Sequence, residues 1–165
     1  MGKYLGRDGA MHGGVGAAAS RFGRRGSLGV LLAVNSVGAV RDPATGRWAA
    51  GARDGRGRLI PPSSDTSAPD PVTGTTIGLI ATDLAIDRPT LARVVAMAHA
   101  GLASAITPFH SATDGDVLFG AATGSAGTGA REKRPGGLAD ALGALGAELA
   151  VRAALGAVWA ANAEP

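Results

Sequence analysis

Short runs of apolar residues, separated by segments rich in Gly, Pro, Ser and Asp, divide the chain. Three of these runs are rich in Val, Leu, Ile or Phe and end at polar residues or glycine, which is typical of buried β-strands. They lie at residues 27–34, 76–82 and 117–122. The pattern therefore predicts a β-sheet that contains these three strands.

Two longer segments carry apolar residues at helical spacing. The first covers residues 88–105, where Asp87 is suited to be the N-cap and Pro89 stands in the first turn. The second, residues 137–161, is rich in Ala and has a narrow stripe of Leu. Because charged residues interrupt it, we expect it to cover a sheet face and not to cross a membrane. These elements predict a single α+β domain over residues 1–165.

Glycine and proline dominate two segments that are expected to lack regular structure. Residues 1–26 include the Gly-rich run 13–19, which is weakly similar to a phosphate-binding loop, but no predicted strand precedes it. A flexible or closely packed turn is the favoured interpretation. Residues 41–73 show no periodicity and are interpreted as a long loop, which inside a compact domain is typically functional or disordered.

The junction between this loop and the following strand is the main candidate for chemistry. Thr75 directly follows Gly74 there. Self-cleaving N-terminal-nucleophile hydrolases place their scissile bond at such a junction, where glycine permits positive φ and close approach of the backbone. Cleavage would give Thr75 a free α-amine that acts as general base for its own Oγ. An ordinary loop-to-strand junction is the alternative interpretation.

Polar residues at three other places are candidates for the same site. Asn35 ends the first predicted strand, where an amide could donate to an oxyanion, although turn formation is the commoner role. Asp114 and Asp116 flank Gly115, so both carboxylates can reach one site if the backbone turns there. A solvated turn is the alternative for this acidic pair. His99 lies beside the apolar stripe of its helix and is interpreted as a packing residue.

Composition narrows the classes of function. The chain has 45% hydrophobic residues but only 4% aromatic residues and 27 glycines, so we expect a core of small, closely packed side chains. Its net charge is +3, yet the basic residues are dispersed, which disfavours a nucleic-acid interface. The absence of Cys excludes disulfides and thiolate chemistry. We expect a cytoplasmic protein without a metal or cofactor, because neither a ligand set nor a leader segment is evident.

Three blocks of sequence occur in a recognisable order. They are Gly-Thr-Thr-Ile-Gly-Leu-Ile-Ala-Thr-Asp at 74–83, Met-Ala-His-Ala-Gly-Leu-Ala at 97–103, and the stretch from His110 through Asp-Gly-Asp to Gly124. Together they resemble the DmpA-like aminopeptidases, the L-aminopeptidase/D-esterase family that includes beta-peptidyl aminopeptidases and a nylon-oligomer hydrolase. Members of that family are much longer, so the resemblance implies the C-terminal half of such an enzyme.

The resemblance implies a fold and a set of site residues. The fold is an αββα sandwich of the DmpA/ornithine-acetyltransferase type, incomplete here on its N-terminal side. The positions that match the family's catalytic residues are Thr75, Lys3, Asn35, Asp114 and Asp116, with the cleavage site between Gly74 and Thr75. Lys3 would help to keep the new amine neutral, the two carboxylates would orient the lysine and the amine, and Asn35 would donate to the oxyanion.

These matches imply a self-processing hydrolase of amide bonds, an aminopeptidase or amidase that acts on small N-terminal residues or amide oligomers. Residues 41–74 would form the processing loop and residues 75–165 the nucleophile-bearing subunit. The alternatives are an inactive remnant that needs a complementary N-terminal half, acyl transfer as in the similar ornithine acetyltransferase fold, and nucleotide binding by the Gly-rich run. The expected partners are a small peptide or amide substrate and further copies of the chain, with no nucleic acid or membrane.

Overall fold

The computed structural model describes residues 1–24, 26–63, 73–127 and 136–163. Its elements in chain order are β1 (Gly14–Phe22), β2 (Gly26–Asn35), β3 (Ala39–Arg41), β4 (Trp48–Ala50), β5 (Ala52–Arg53), β6 (Leu59–Ile60), β7 (Thr75–Thr82), α1 (Arg88–Ala105), β8 (Ile106–Thr107), β9 (Val117–Ala122) and α2 (Gly137–Asn162). The described chain is therefore of the predicted α+β class.

A four-stranded sheet with the order β1-β2-β7-β9 forms the centre of the fold. β2 pairs antiparallel with both β1 and β7, whereas β7 and β9 are parallel. Parallel neighbours need a long crossover connection, and α1 lies within it. The short strands form two further sheets, β4-β3-β8 and β5-β6.

One face of the central sheet is buried under the two helices. Alternate residues of β2 point into this layer, where Leu28, Val30, Leu32 and Val34 are all buried. Ile80 of β7 is buried in the same apolar core, which also includes residues of α1 and α2. Because successive strand residues point to opposite faces, the other face of the sheet is a separate surface.

The sequence pattern located the larger elements correctly. The strands predicted at 27–34, 76–82 and 117–122 are β2, β7 and β9, and both predicted helices form, α1 with the predicted bounds. The predicted N-cap is also confirmed, because the Asp87 carboxylate accepts a hydrogen bond of 2.9 Å from the Thr90 N–H.

The Gly-rich segment near the start of the chain is a strand, β1, which corrects its interpretation as a turn. Gly and Ala have low β propensity, so the sequence gives little sign of it. Pairing with β2 along its whole length stabilises the strand. Its close packing is confirmed, since a Cβ on Gly16 would overlap the Ala153 carbonyl of α2. A phosphate-binding loop is excluded because this backbone belongs to a β-ladder.

Residues 41–63 are not a structureless loop, which is a second correction. They contain β4, β5 and β6, and β3 ends at the first residue of the segment. Asp42 and Asp54 close the two tight turns, because each carboxylate accepts a hydrogen bond from a backbone N–H two residues ahead. The remainder of the predicted loop, residues 64–72, lies outside the described residues.

The face of the central sheet opposite the helices, here called the open face, is apolar between Arg21 and Ser27 at one end and Asn35 and Thr75 at the other. Its largest apolar side chains are Leu31, Ile77, Leu79 and Phe119, which are between 39% and 56% exposed. Leu31 lies beside Leu79 and Leu79 beside Phe119 in the strand register. The smaller apolar residues of this face are Val15, Ala17, Ala19, Gly29, Ala33, Ala81, Val117 and Ala121. Monomeric proteins seldom expose a continuous apolar surface of this kind.

Within the described residues, α2 is the one helix whose length and hydropathy would allow it to cross a membrane. More than half of its most apolar 18-residue window is buried inside the molecule. The helix packs on α1, β1 and β2. Packing in the core therefore accounts for its apolar composition.

The α1–α2 contact generates the first prediction. A Cβ on Gly101 of α1 would come within 2.7–2.9 Å of Ala147 atoms that include its Cα and carbonyl oxygen, so Gly101→Ala forces the helices apart. We expect a loss of about 1–3 kcal/mol in the free energy of unfolding. Gly156→Ala in α2 is the matched control, because nothing lies within 4 Å of its added Cβ, and it should stabilise by up to about 1 kcal/mol. Denaturant unfolding measures both, and equal effects would contradict the packing described here.

Candidate functional site

The ends of three central strands bring the predicted site residues together. Asn35 ends β2 and is the register partner of Thr75, the first residue of β7. Gly74 forms a parallel bridge with Asp114, which extends the β7–β9 pairing beyond β9. All five residues matched to the family's catalytic positions lie at this end of the sheet.

Lys3 reaches the site from the start of the chain. Backbone hydrogen bonds fix its position, with the N–H groups of Gly2 and Lys3 donating to the carbonyls of Gly38 and Val37 at 3.0 and 2.9 Å. This pairing places Lys3 next to the polar end of β2. The contact spans more than thirty residues of sequence, so no local pattern could have predicted it.

The Gly74–Thr75 peptide bond lies among donors. The half-buried Thr75 Oγ1 donates to the Gly74 carbonyl oxygen at 2.5 Å, and the Gly115 N–H donates to the same oxygen at 3.1 Å. Two donors on one carbonyl oxygen withdraw electron density from its carbon and stabilise negative charge on the oxygen. The sequence analysis missed the role of Gly115, because a backbone N–H has no signature beyond the glycine between the two aspartates.

The side chain of Asp114 explains why residue 74 is glycine. A Cβ on Gly74 would overlap Asp114 Oδ1 and would lie 2.5 Å from the Val37 nitrogen. The expected close approach of the backbone is therefore confirmed. The φ of Gly74 is not positive, so close approach and not a left-handed conformation accounts for glycine at this position.

Asp114 is a buried carboxylate held by a backbone amide. Its two oxygens lie 3.1 and 3.3 Å from the Val37 nitrogen, and the Ser111 hydroxyl donates to it at 3.4 Å. Burial raises the pKa of this carboxyl, the hydrogen bond from Val37 opposes that rise, and repulsion from Asp116 adds to it. The site therefore holds a carboxyl whose charged form is destabilised.

Asp116 is also buried and joins two segments of backbone. Its Oδ1 accepts from the Thr76 N–H at 2.5 Å, and its Oδ2 accepts from the His110 N–H at 2.8 Å. Charge-assisted hydrogen bonds of this kind are strong and directional. In the uncleaved chain both carboxylates thus bind backbone amides, whereas the resemblance implied that they orient the lysine and the amine.

Lys3 lies over the polar end of β2. Its Nζ donates to the Asn35 carbonyl at 3.1 Å, to Asn35 Oδ1 at 2.9 Å and to the Thr73 carbonyl at 3.1 Å. Burial lowers the pKa of Lys3, Asp114 opposes this shift, and Arg7 adds to it. An ammonium group can only donate, so the atom of Asn35 that faces Lys3 is its oxygen. The amide nitrogen of Asn35 keeps its two donors.

Among the described residues, the acidic groups of the site do not belong to a set that could hold a metal ion. Within the described ranges, no group of three or more His, Asp or Glu side chains is arranged to hold an ion. The polar groups that converge on Gly74 and Thr75 are instead a hydroxyl, an ammonium, two carboxyls and several backbone amides. This set suits proton transfer and stabilisation of an oxyanion at an amide carbonyl.

The chain is similar in sequence to a known peptidase family and to mycobacterial aminopeptidases. Residues 7–164 match the family described as Peptidase family S58. An uncharacterized aminopeptidase of Mycobacterium tuberculosis is 38% identical over 176 residues, which cover 96% of this chain and 51% of the relative. A similar protein of Mycobacterium leprae is 37% identical over 170 residues, covering 94% of this chain and 47% of the relative. The chain thus spans about half the length of these relatives.

Solved structures show the same fold. The L-aminopeptidase D-Ala-esterase/amidase of Ochrobactrum anthropi, described as a prototype for the serine aminopeptidases and a variant of the Ntn hydrolase fold, aligns with a TM-score of 0.59 and 19% identity. It covers 90% of this chain, which matches 40% of that structure. A beta-aminopeptidase of a Burkholderia species aligns with a TM-score of 0.55 and 19% identity over 88% of this chain and 41% of that one. The predicted fold class is therefore confirmed.

The buried charge of Asp114 generates the second prediction. Burial raises the pKa of Asp114 above that of an aspartate in the unfolded chain, so the folded state binds this proton more tightly. The free energy of unfolding therefore falls as pH rises from the unfolded pKa through the folded pKa. Asp114→Asn keeps an oxygen that accepts from Val37 and should abolish this fall. We expect the variant to be at least as stable as the parent at about pH 7. Denaturant unfolding at several pH values measures it, and a variant less stable at neutral pH would contradict the assignment.

Proposed function

The chain belongs to peptidase family S58, and on that premise we propose that it is the nucleophile-bearing part of an amide hydrolase that first cleaves its own Gly74–Thr75 bond. One observation carries the proposal most strongly. The Thr75 hydroxyl and the Gly115 N–H both bind the Gly74 carbonyl oxygen, so the nucleophile lies beside the bond and a donor is already in place for the oxyanion.

The self-cleavage reaction needs only groups of the chain and one water. Thr75 Oγ attacks the Gly74 carbonyl carbon, and the Gly115 N–H stabilises the oxyanion. The bond between the Gly74 carbonyl carbon and the Thr75 nitrogen then breaks, while the hydroxyl proton passes to that nitrogen. The product is an ester between Gly74 and the Thr75 side chain. Water hydrolyses this ester, which leaves a carboxylate on Gly74 and a free amine and hydroxyl on Thr75.

The mature site would use Thr75 as both nucleophile and base. Its α-amine accepts the Oγ proton as Oγ attacks a substrate amide, and later returns a proton to the leaving amine. The positive charge of Lys3 favours the neutral form of that amine. The side-chain amide of Asn35, the register partner of Thr75, keeps donors that could reach the substrate oxyanion.

The substrate class follows from the relatives by analogy. The mycobacterial relatives and two structural neighbours are all named as aminopeptidases, which supports removal of N-terminal residues from small peptides or hydrolysis of small amides and amide oligomers. One of those neighbours is described as a serine aminopeptidase, whereas this chain has threonine at the proposed position. A hydroxyl nucleophile is common to both residues.

A second candidate is a half that works only with a complementary half. The open face supports it, because an αββα sandwich places a second sheet on this surface and the chain spans about half of its relatives. By strand alternation Asn35 and Thr75 continue the rows of the open face at its edge, next to Ala33 and Ile77. We propose that the apolar face of a second sheet, supplied by the rest of the family fold, covers the open face and completes the substrate pocket.

Self-cleavage is the third prediction. The intact mass of the purified chain under denaturing conditions should show two fragments, residues 1–74 and 75–165, and Thr75→Ala should show only the uncut chain. Thr76→Val is the matched control, because the Thr76 hydroxyl is buried and has no hydrogen-bond partner among the described residues. It should be cleaved at a rate within about twofold of the parent. Equal loss in both variants would contradict Thr75 as the nucleophile.

The same assay separates the two candidates. If the chain alone stays uncut, fusing it to the half of the mycobacterial relative that it does not match should restore cleavage under the partner-dependent proposal. Hydrolysis of an aminoacyl amide by the cut fusion then tests the mature activity, with Thr75→Ala as its blank. A fusion that folds but neither cleaves itself nor hydrolyses the amide would leave only the inactive remnant.

The open face generates the fourth prediction. Changing Leu31 and Phe119 together to Gln should reduce self-association of the chain, because it interrupts the apolar surface. Trp159→Gln is the control, since Trp159 is equally exposed, at 54%, but lies on α2. Sedimentation velocity across a concentration series measures association. A parent chain that stays monomeric at high concentration would contradict the need for a cover on this face.

A further inference from the structure

Two histidines lie behind the acidic pair. His99 of α1 is half-buried, and its ring contacts the His110 ring edge-on with centroids 4.7 Å apart. Phe109 packs on the same His99 ring at 4.8 Å. Phe109 and His110 belong to the connection between β8 and β9, which also carries Asp114 and Asp116. His99 is therefore a packing residue, as the sequence suggested, and its contacts join α1 to the segment that builds the site.

His110 adopts an unusual backbone conformation. Its φ is 54°, in the left-handed region that is disfavoured for residues other than glycine. In this conformation its N–H donates to Asp116 Oδ2 at 2.8 Å. A disfavoured conformation persists only where surrounding contacts hold it. The contacts of His110 include this hydrogen bond, the His99 ring and the Phe109 ring, whose centroid lies 6.3 Å from that of His110.

These contacts form one path from α1 to the residue that follows the nucleophile. The His99 ring holds the His110 ring, the His110 N–H holds one oxygen of Asp116, and the other oxygen holds the Thr76 N–H. His99 also forms a hydrogen bond with the backbone of Asp116. We propose that His99 is a positioning residue that acts through His110 and through this hydrogen bond to orient the Asp116 carboxylate on the β7 backbone beside Thr75. The proposal rests on the function proposed above for Thr75, but the path itself can be tested without activity.

The charges around His99 are few. The groups that act on its pKa are His110 and Asp116, and Arg88 lines the same groove between α1 and β9. Val117, Leu118 and Gly120 face it from the β9 side and do not titrate. On α2, Gly143 packs against Met97 and Ala147 packs against Gly101, and neither of these α2 residues titrates.

Protonation should weaken the path. Burial lowers the pKa of His99, repulsion from His110 lowers it further, and Asp116 opposes both. His99 is therefore neutral at neutral pH. The neutral rings pack edge-on with centroids 4.7 Å apart, and acidification below the pKa of His99 places a positive charge on its ring at this half-buried contact. The His99–His110 contact, and with it the orientation of Asp116, should be lost as pH falls through that pKa.

Amide hydrogen exchange tests the proposal in a Thr75→Ala background, where the bond remains intact. His99→Leu should accelerate exchange of the Thr76 and His110 amides, which Asp116 holds, by about tenfold. The Val37 amide, which Asp114 holds, is the internal control and should not change. His99→Gln keeps a polar donor and should restore at least part of the protection. Equal acceleration at Val37, or none at Thr76, would overturn the proposal.

A histidine titration provides the second measurement. The chain has only three histidines, so NMR can follow each ring separately. His110→Gln should raise the titration midpoint of His99 and Asp116→Asn should lower it. His12→Gln should leave it unchanged, because exposed His12 contacts Asn162 of α2 instead. A His99 titration midpoint that is the same in the parent and in His110→Gln would overturn the path even if self-cleavage proceeds. If the coupling is found but the parent never cleaves, the path holds and the function proposed for Thr75 fails.

Discussion

The site depends on a short extension of parallel pairing in which Gly74 lies beside Asp114 and Gly115. The central strands β7 and β9 are far apart in sequence, and only the crossover through α1 aligns them. The ladder extends beyond the start of β9, and the residues in this extension are the ones proposed to take part in the reaction. The Gly115 N–H continues the ladder, and the oxygen that it binds is the carbonyl oxygen of the bond proposed to break. Shifting the register by one residue would separate Gly115 from that carbonyl.

The two acidic residues buried at this end of the sheet lower the stability of the folded state. Asp114 and Asp116 are both buried, and their repulsion together with burial disfavours the charged form of Asp114. Backbone amides of Val37, Thr76 and His110 offset part of this cost. The structure therefore keeps two acidic groups at a position where burial opposes the charge of one of them, which is a pattern common at functional sites.

Local signals in the sequence were enough for the elements that carry large apolar residues. β2, β7, β9 and α1 were predictable because Val, Leu and Ile runs, or an Asp87 cap before Pro89, have strong local preferences. β1 could not be predicted from the sequence, because Gly and Ala have low β propensity. Its strand conformation depends on pairing with β2 and packing against α2. The strands within residues 41–63 have only two or three residues each and lie between glycines, so they show no periodicity in the sequence. Asp42 and Asp54 are residues typical of the turns that connect them.

The site was predictable only in part, for a different reason. Thr75 and the acidic pair stand at recognisable junctions, whereas Lys3 could be identified only by resemblance because its position depends on backbone pairing with residues 37–38. The N–H donors of Gly115 and Val37 could not be identified from the sequence, because every residue except proline has a backbone N–H. The role of His99 depends on a contact between a helix and a loop, which no periodicity along one segment can show.

The close approach of Gly74 to Asp114 has a consequence for the direction of the reaction. Hydrolysis at Gly74 would create a third carboxylate within a pocket that already disfavours the charge of Asp114. Repulsion would then expel the new chain end, which makes rejoining of the two pieces unfavourable. Its departure would vacate the space in front of Thr75 that the carbonyl of Gly74 had filled. The carbonyl of an incoming substrate could occupy that same space, so the chain would serve as the template for its own substrate.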